Sequence, residues 1–285
     1  MKIGLGLPNA ARSLRQGRLL VDIARRAEEL GFSTLATIGR VAYPSHEELV
    51  SLAAAAGATE HIGLLTDILL ATTREAVLLA KQAATLDQVS SGRFVLGVGV
   101  GSRPDDFTVT GHGFTNRGKR LDESLDLMHR AWRGEPVPGT DQPVTPRPVN
   151  GHSVPMLFGG RADQSVARVV KYGIGYTQGG GTPEGLQGMM ERVNQAWQEA
   201  GRSGSPQFRA LAYFAIGDEA HEEAQANVMD YYGDWGAAVW KSTIKSAAEA
   251  KERIKAYADI DCDELLVFMT APSPVQAERL AEAVL

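Results

Sequence analysis

The chain is poor in several things, and each shortage excludes something. Of 285 residues one is a cysteine, Cys262, so no intrachain disulfide forms. That usage fits a reducing compartment, the cytoplasm. No run of about 18 apolar residues occurs, so no segment reads as a transmembrane helix. The opening, MKIGLGLPNAARS, has too short an apolar run for a signal peptide. Lys and Arg number 29 against 34 Asp and Glu, a formal charge of −5. With no basic cluster, nucleic acid and anionic membranes are poor partners. The six histidines (His46, His61, His112, His129, His152 and His221) show no HxH or HxxxH spacing, which argues against a metal site. There is no GxSxG, and Cys262 has no evident partner, so nucleophilic catalysis has little support.

What is present is a regular alternation. At 44% hydrophobic and 22% charged residues, the chain has ample material for a core. We read residues 1–285 as a single domain. Short apolar segments at Lys2–Leu7, Thr34–Ile38, His61–Leu70, Phe94–Val100, Pro155–Phe158, Gly173–Gln178, Phe208–Ile216 and Leu265–Met269 read as strands one to eight. Between them lie helical stripes, the clearest being Leu121, Leu125, Met128 and Trp132. Glu135–Val154 is rich in Pro and Gly and reads as a surface excursion. Asp218–Ser246, with Tyr231, Tyr232, Trp235 and Trp240, reads as one or two helices plus a loop inserted after strand seven. Eight strands alternating with helices in this length is the count of a (β/α)8 TIM barrel, an α/β fold. An open doubly wound sheet is the alternative, but strand one lacks the GxGxxG turn of a dinucleotide site.

The stretch Leu86–Gly101, LDQVSSGRFVLGVGVG, organises the rest. It reads as the end of a helix, a tight turn at Ser91-Gly92 and then, from Phe94, a Val-rich apolar strand buried on both faces. Gly97, Gly99 and Gly101 alternate with valines, and such glycines mark a close approach to the backbone. Either a ligand ring or close packing in the barrel accounts for them. Arg103, Asp105 and Asp106 follow in a loop, where a carboxylate could act as general acid or base. Thr66 and Asp67 are polar within an apolar strand and therefore need partners. Gly159-Gly160-Arg161-Ala162 opens a helix, a place suited to a phosphate, although Asp163 or Ser165 could cap that helix instead. Gly179-Gly180-Gly181 is the corresponding turn after strand six, either a second wrap around the ligand or a flexible turn. Tyr231, Tyr232, Trp235 and Trp240 suit a pocket roof or a dimer interface.

At LDQVSSGRFVLGVGVG the chain resembles the bacterial luciferase-like superfamily of flavin- and deazaflavin-dependent oxidoreductases. The opening KIGLGLP, AEELGF before strand two, AKQAATLDQVSSGR, FTVTGHG and PMLFGGRADQSVARVVKYG carry the same resemblance along nearly the whole chain. It implies a (β/α)8 barrel with FMN, or alternatively coenzyme F420, at the C-terminal ends of the strands. It implies a phosphate at Gly159, Gly160, Arg161 and Ala162, with Gly179, Gly180 and Gly181 alongside. It also implies a non-prolyl cis peptide at Leu65–Thr66 or Thr66–Asp67, close to the ring, which Gly97 and Gly99 would admit. A monooxygenase acting on a small-molecule substrate is the first expectation, with F420-linked hydride transfer second and a non-catalytic flavin-binding barrel third. A flavin reductase and a second copy of the chain are the partners it suggests. Two departures stand out. The luciferases carry histidines just after strand two, where this chain has Thr37-Ile38-Gly39-Arg40, and often proline after strand three, where it has Arg74-Glu75-Ala76. The catalytic candidates are therefore Asp67, Asp105 and Arg40, the last as partner of an anion or simply solvated.

Overall fold

The computed structural model describes residues 1–285. Nine parallel segments form one sheet: β1 (Lys2–Gly6), β2 (Thr34–Thr37), β3 (Gly63–Thr66), β4 (Leu69–Leu70), β5 (Phe94–Gly99), β6 (Met156–Phe158), β7 (Gly175–Gln178), β8 (Gln207–Phe214) and β9 (Glu264–Met269). The order runs β3-β2-β1-β9-β8-β7-β6-β5-β4, and β5 also pairs with β3 through Leu64 opposite Phe94 and Leu65 opposite Val95. The sheet thus closes on itself. β3 and β4 are two halves of one stave interrupted at Asp67 and Ile68, so the barrel has eight staves with flanking helices, a TIM barrel.

Side chains alternate across each stave. On β5, Phe94, Leu96 and Val98 point outward into the main core, a cluster of 57 buried residues between sheet and helices. Gly97 and Gly99 therefore point inward. The barrel interior holds a second, small cluster: Ala36, Leu65, Leu157, Leu211, Leu266 and Phe268. Gly4 and Gly6 of β1 make room for it, since a methyl at either would collide with Leu266 or Phe268. Hydrophobic layers thus fill the barrel's middle, and anything polar on an inward position above them faces the mouth.

The helices sit where the sequence stripes place them, with instructive exceptions. The expected loop at Arg103–Asp106 is instead the start of a one-and-a-half-turn helix, α4 (Pro104–Val109), with proline in its first turn and two acidic residues there. After β8 the insertion folds as α8 (Asp218–Tyr232), a 3-10 turn at Gly233–Trp235 and α9 (Gly236–Ser242). α6 (Asp163–Tyr172) is capped by neither Asp163 nor Ser165: its N-cap is Ala162, with no side-chain cap. Asp163 turns to Arg192 instead, 2.6 Å away. No helix is long and apolar enough to cross a membrane.

Candidate active site

The C-terminal rims of the staves enclose a cavity of about 370 Å3. Nearly every rim contributes. Ile38, Gly39 and Arg40 come from the end of β2, Asp67 and Ile68 from the break between β3 and β4, and Gly99 to Arg103 from β5. Gly159 and Gly160 follow β6, Thr177 and Gly179 lie on and after β7, and Leu211 and Tyr213 lie on β8. Tyr231 and Tyr232, at the end of α8, form the roof.

Asp67 is the chemically distinct group. It is 4% exposed. Its Oδ1 accepts from the Thr177 hydroxyl at 2.6 Å. Its Oδ2 is buried and has no partner within the chain. Burial pushes the carboxyl up to about 6, against the pull of the Thr177 hydrogen bond and of Arg209. A buried carboxyl oxygen with nothing to bond, on the wall of a cavity, is an unmet demand for a ligand.

Lining the same cavity, the hydroxyls of Tyr213 and Tyr232 share a hydrogen bond of 2.5 Å. This bond ties the inserted helix to β8. Burial holds the Tyr213 phenol well above its ordinary range, and the Asp67 charge adds to the effect.

The expected non-prolyl cis peptide lies at Asp67–Ile68, one residue beyond the later of the two positions read from sequence and two beyond the earlier. Leu65 and Thr66 are still in parallel register with Ala36 and Thr37 of β2, so the break falls after them. Leu65 accordingly belongs to the barrel's inner core, and Thr66 donates its hydroxyl to the Gly97 carbonyl at 2.8 Å. Neither lines the cavity; Asp67 and Ile68 do.

The glycines divide in the same way. A methyl on Gly97 would fall on the Thr66 carbonyl, and one on Gly99 would fall on Ile68. Their bareness thus serves the broken stave, and of the two only Gly99 reaches the cavity. Gly159 and Gly179 are open: an added methyl meets nothing closer than 3.5 Å at the first and nothing at all at the second. Gly160 has φ +109, a conformation for glycine. Gly180 and Gly181 also have positive φ but stand off the lining, Gly181 packing on Gln178. Arg161 and Ala162 are exposed beyond it.

Arg40 is neither solvated nor free. Its side chain is 7% exposed, and it donates to Asp106 at 2.8 Å and Asp105 at 2.6 Å. Asp106, 1% exposed, also accepts from the backbone of Val41 and Ala42 at 2.8 and 2.7 Å. The pair staples the loop after β2 to α4. Asp105, its side chain 56% exposed, faces Arg40 and not the cavity. The ion pairs give Arg40 and Asp105 a positioning part, with Arg40 still on the cavity lining and Asp105 off it. Beneath the same loop, Glu48 lies against Gly39. Burial pushes its carboxyl up to about 7, although Arg74 sits 2.7 Å away.

Thr177 and Ile68 were not singled out from sequence. Thr177 carried one usable signal, a hydroxyl two residues before Gly179 on an inward position. No group of three His, Cys, Asp or Glu side chains is placed to hold a metal.

A closed parallel barrel whose rim glycines and orphaned acid surround a cavity at the C-terminal ends of its strands has the layout of a barrel enzyme's active site. The chain belongs to the luciferase-like monooxygenase family, whose model matches residues 1–275. Its curated relatives include an uncharacterized protein of Mycobacterium tuberculosis, 27% identical over 68% of this chain and 76% of the relative. They also include the F420-dependent glucose-6-phosphate dehydrogenase of Amycolatopsis mediterranei, 26% identical over 94% of this chain and 83% of the relative. Among solved structures, monooxygenase RslO1 from Streptomyces bottropensis superposes with a TM-score of 0.82 at 22% identity, covering 100% of this chain and 98% of the other. The FMN-bound oxygenating constituent of 3,6-diketocamphane monooxygenase from Pseudomonas putida gives 0.79 at 18% identity, covering 99% and 96%. These structures share the fold. The family works with flavin or F420 cofactors, and its neighbours include both kinds.

Proposed function

We propose that the chain is an FMN-linked oxidoreductase that oxygenates a small organic substrate in the cavity above Asp67. The observation that carries this reading is the unpartnered Asp67 Oδ2, buried in a cavity whose rims at Gly99, Gly159 and Gly179 are bare main chain. Such a rim leaves room for a flat ring. The turn at Gly159-Gly160 and the uncapped first turn of α6 offer N–H groups to an anionic tail. When bound, the flavin supplies the electron and oxygen chemistry, with electrons reaching it from a separate reductase. The chain's own residues do the rest. Thr177 fixes one oxygen of Asp67, and the other, its carboxyl raised by burial to about 6, is poised to accept a proton near neutral pH and to give it back. Ile38, Ile68 and Leu211 line the same cavity and make its wall apolar.

A second reading, F420-linked hydride transfer without oxygen, is favoured by the named F420-dependent relatives. Titration with each cofactor, followed by the visible spectrum of the bound state, separates the two. The first reading expects FMN to bind and oxygen uptake to depend on added substrate. Tight binding of F420 with none of FMN would replace it with the second.

A further inference from the structure

The cavity is lined by two arginines, and the chain treats them differently. Arg40 is neutralised by Asp105 and Asp106. Arg103 forms no ion pair in the chain. Its Nη1 donates to the Tyr231 carbonyl at 2.7 Å, and its guanidinium lies over the rings of Tyr231 and Tyr232, 5.1 and 5.9 Å from their centroids. The carboxylates that follow it, Asp105 and Asp106, both turn to Arg40. Its remaining N–H donors have no acceptor in the chain. It is half-buried on the wall of the cavity, in a protein of net charge −5.

Arg103 and Asp67 both line that cavity and form no ion pair with each other. The charges that act on Asp67 are Arg209 and Glu264, not Arg103. Burial raises the Tyr232 phenol, the Tyr213 hydrogen bond and Arg103 draw it down, and Asp67 pushes it up. The cavity thus holds a buried acid and, apart from it, a cation with aromatic faces beneath it. A guanidinium in that setting binds a carboxylate with two parallel charge-assisted hydrogen bonds, and the tyrosine faces accept a flat or apolar body.

We infer that Arg103, with Tyr231 and Tyr232, recognises the carboxylate of a small carboxylate-bearing substrate. Calling that ligand a substrate rests on the oxidoreductase reading. The rival source of the anion is the phosphate of the cofactor.

The test titrates benzoate and its uncharged amide, benzamide, into the full-length protein by calorimetry, with and without FMN. Benzoate is expected to bind about tenfold or more tightly than benzamide, an advantage that shrinks with added salt. Arg103→Gln abolishes the preference, and Arg103→Lys, which keeps the charge but not the fork, retains part of it. Equal affinities for the two probes in the wild type would sink the inference, as would a preference that survives Arg103→Gln. The lysine variant keeps the comparison open if the glutamine variant does not fold. FMN affinity, read from the spectrum of the same proteins, separates the two sources. If Arg103→Gln weakens FMN as much as benzoate, the anion belongs to the cofactor and the substrate assignment falls. If neither FMN nor F420 binds while the benzoate preference stands, the oxidoreductase reading falls and the anion site survives.

Discussion

Asp67 has one oxygen held by Thr177 and one left over, and its titration has consequences for stability as well as for chemistry. Its folded value, about 6, is raised from an ordinary 3.8. Below the lower value both folded and unfolded chains carry the proton, and nothing is lost. Between the two the unfolded chain ionises first, so stability falls as pH rises, reaching a full penalty of about 3 kcal/mol at most above the higher value. Asp67→Asn removes this dependence while its amide oxygen still accepts from Thr177. The variant should melt a few degrees above the wild type at about pH 8 and show no such gain at about pH 4. It should retain cofactor affinity and lose about 100-fold or more in turnover if the proton is used in catalysis. Asp67 was legible in the sequence because a charged residue interrupts an apolar strand. Thr177 was not, because the residue that gives it meaning lies 110 positions away.

At the scale of elements, the glycines of β5 show how one sequence signal can have two physical sources. Alternating Gly and Val announced a close backbone approach, and the approach is real. At Gly97 it is made by the carbonyl of Thr66 from the neighbouring stave. Gly97→Ala should therefore destabilise the fold by about 1–3 kcal/mol, as overpacking does, visible as a lower urea midpoint with unchanged slope. The short helix α4 was missed for a related reason. Six residues carry too little periodicity to show a stripe, although Pro104 followed by Asp105 and Asp106 is a helix-start signal. Its role emerges only through Arg40, 66 positions before Asp106. Arg40→Ala leaves a buried carboxylate short of its cation and is expected to cost about 3–5 kcal/mol. Urea unfolding would measure the loss, and faster amide exchange at Val41 and Ala42 would locate it.

For the whole molecule, the barrel was countable from sequence because each strand and helix records its own burial period locally. Which staves touch follows from that count, once the alternation is unbroken. What the count could not supply is where one stave breaks, since the break at Asp67 and Ile68 depends on register with β2 and β5. The outer surface adds an expectation about assembly. α2 (Glu48–Ala56) and α3 (Ala76–Val89) pack side by side, yet Val50 is 70% and Leu78 56% exposed. A second copy of the chain covering this face would account for them. Light scattering should then report a dimer, and Val50→Lys combined with Leu78→Glu should shift it to monomer without altering the melting temperature of the barrel. A monomeric wild type would remove the expectation.

The Arg40–Asp106 staple pins the loop after β2, and α8 is tied across to that same loop by the Tyr43 hydroxyl on Asp230 and to β8 by the Tyr213–Tyr232 hydroxyl pair. The roof of the cavity is the end of this insert, so the size of guest admitted depends on it. Redesigning what this protein accepts should begin with α8 and leave the staves untouched.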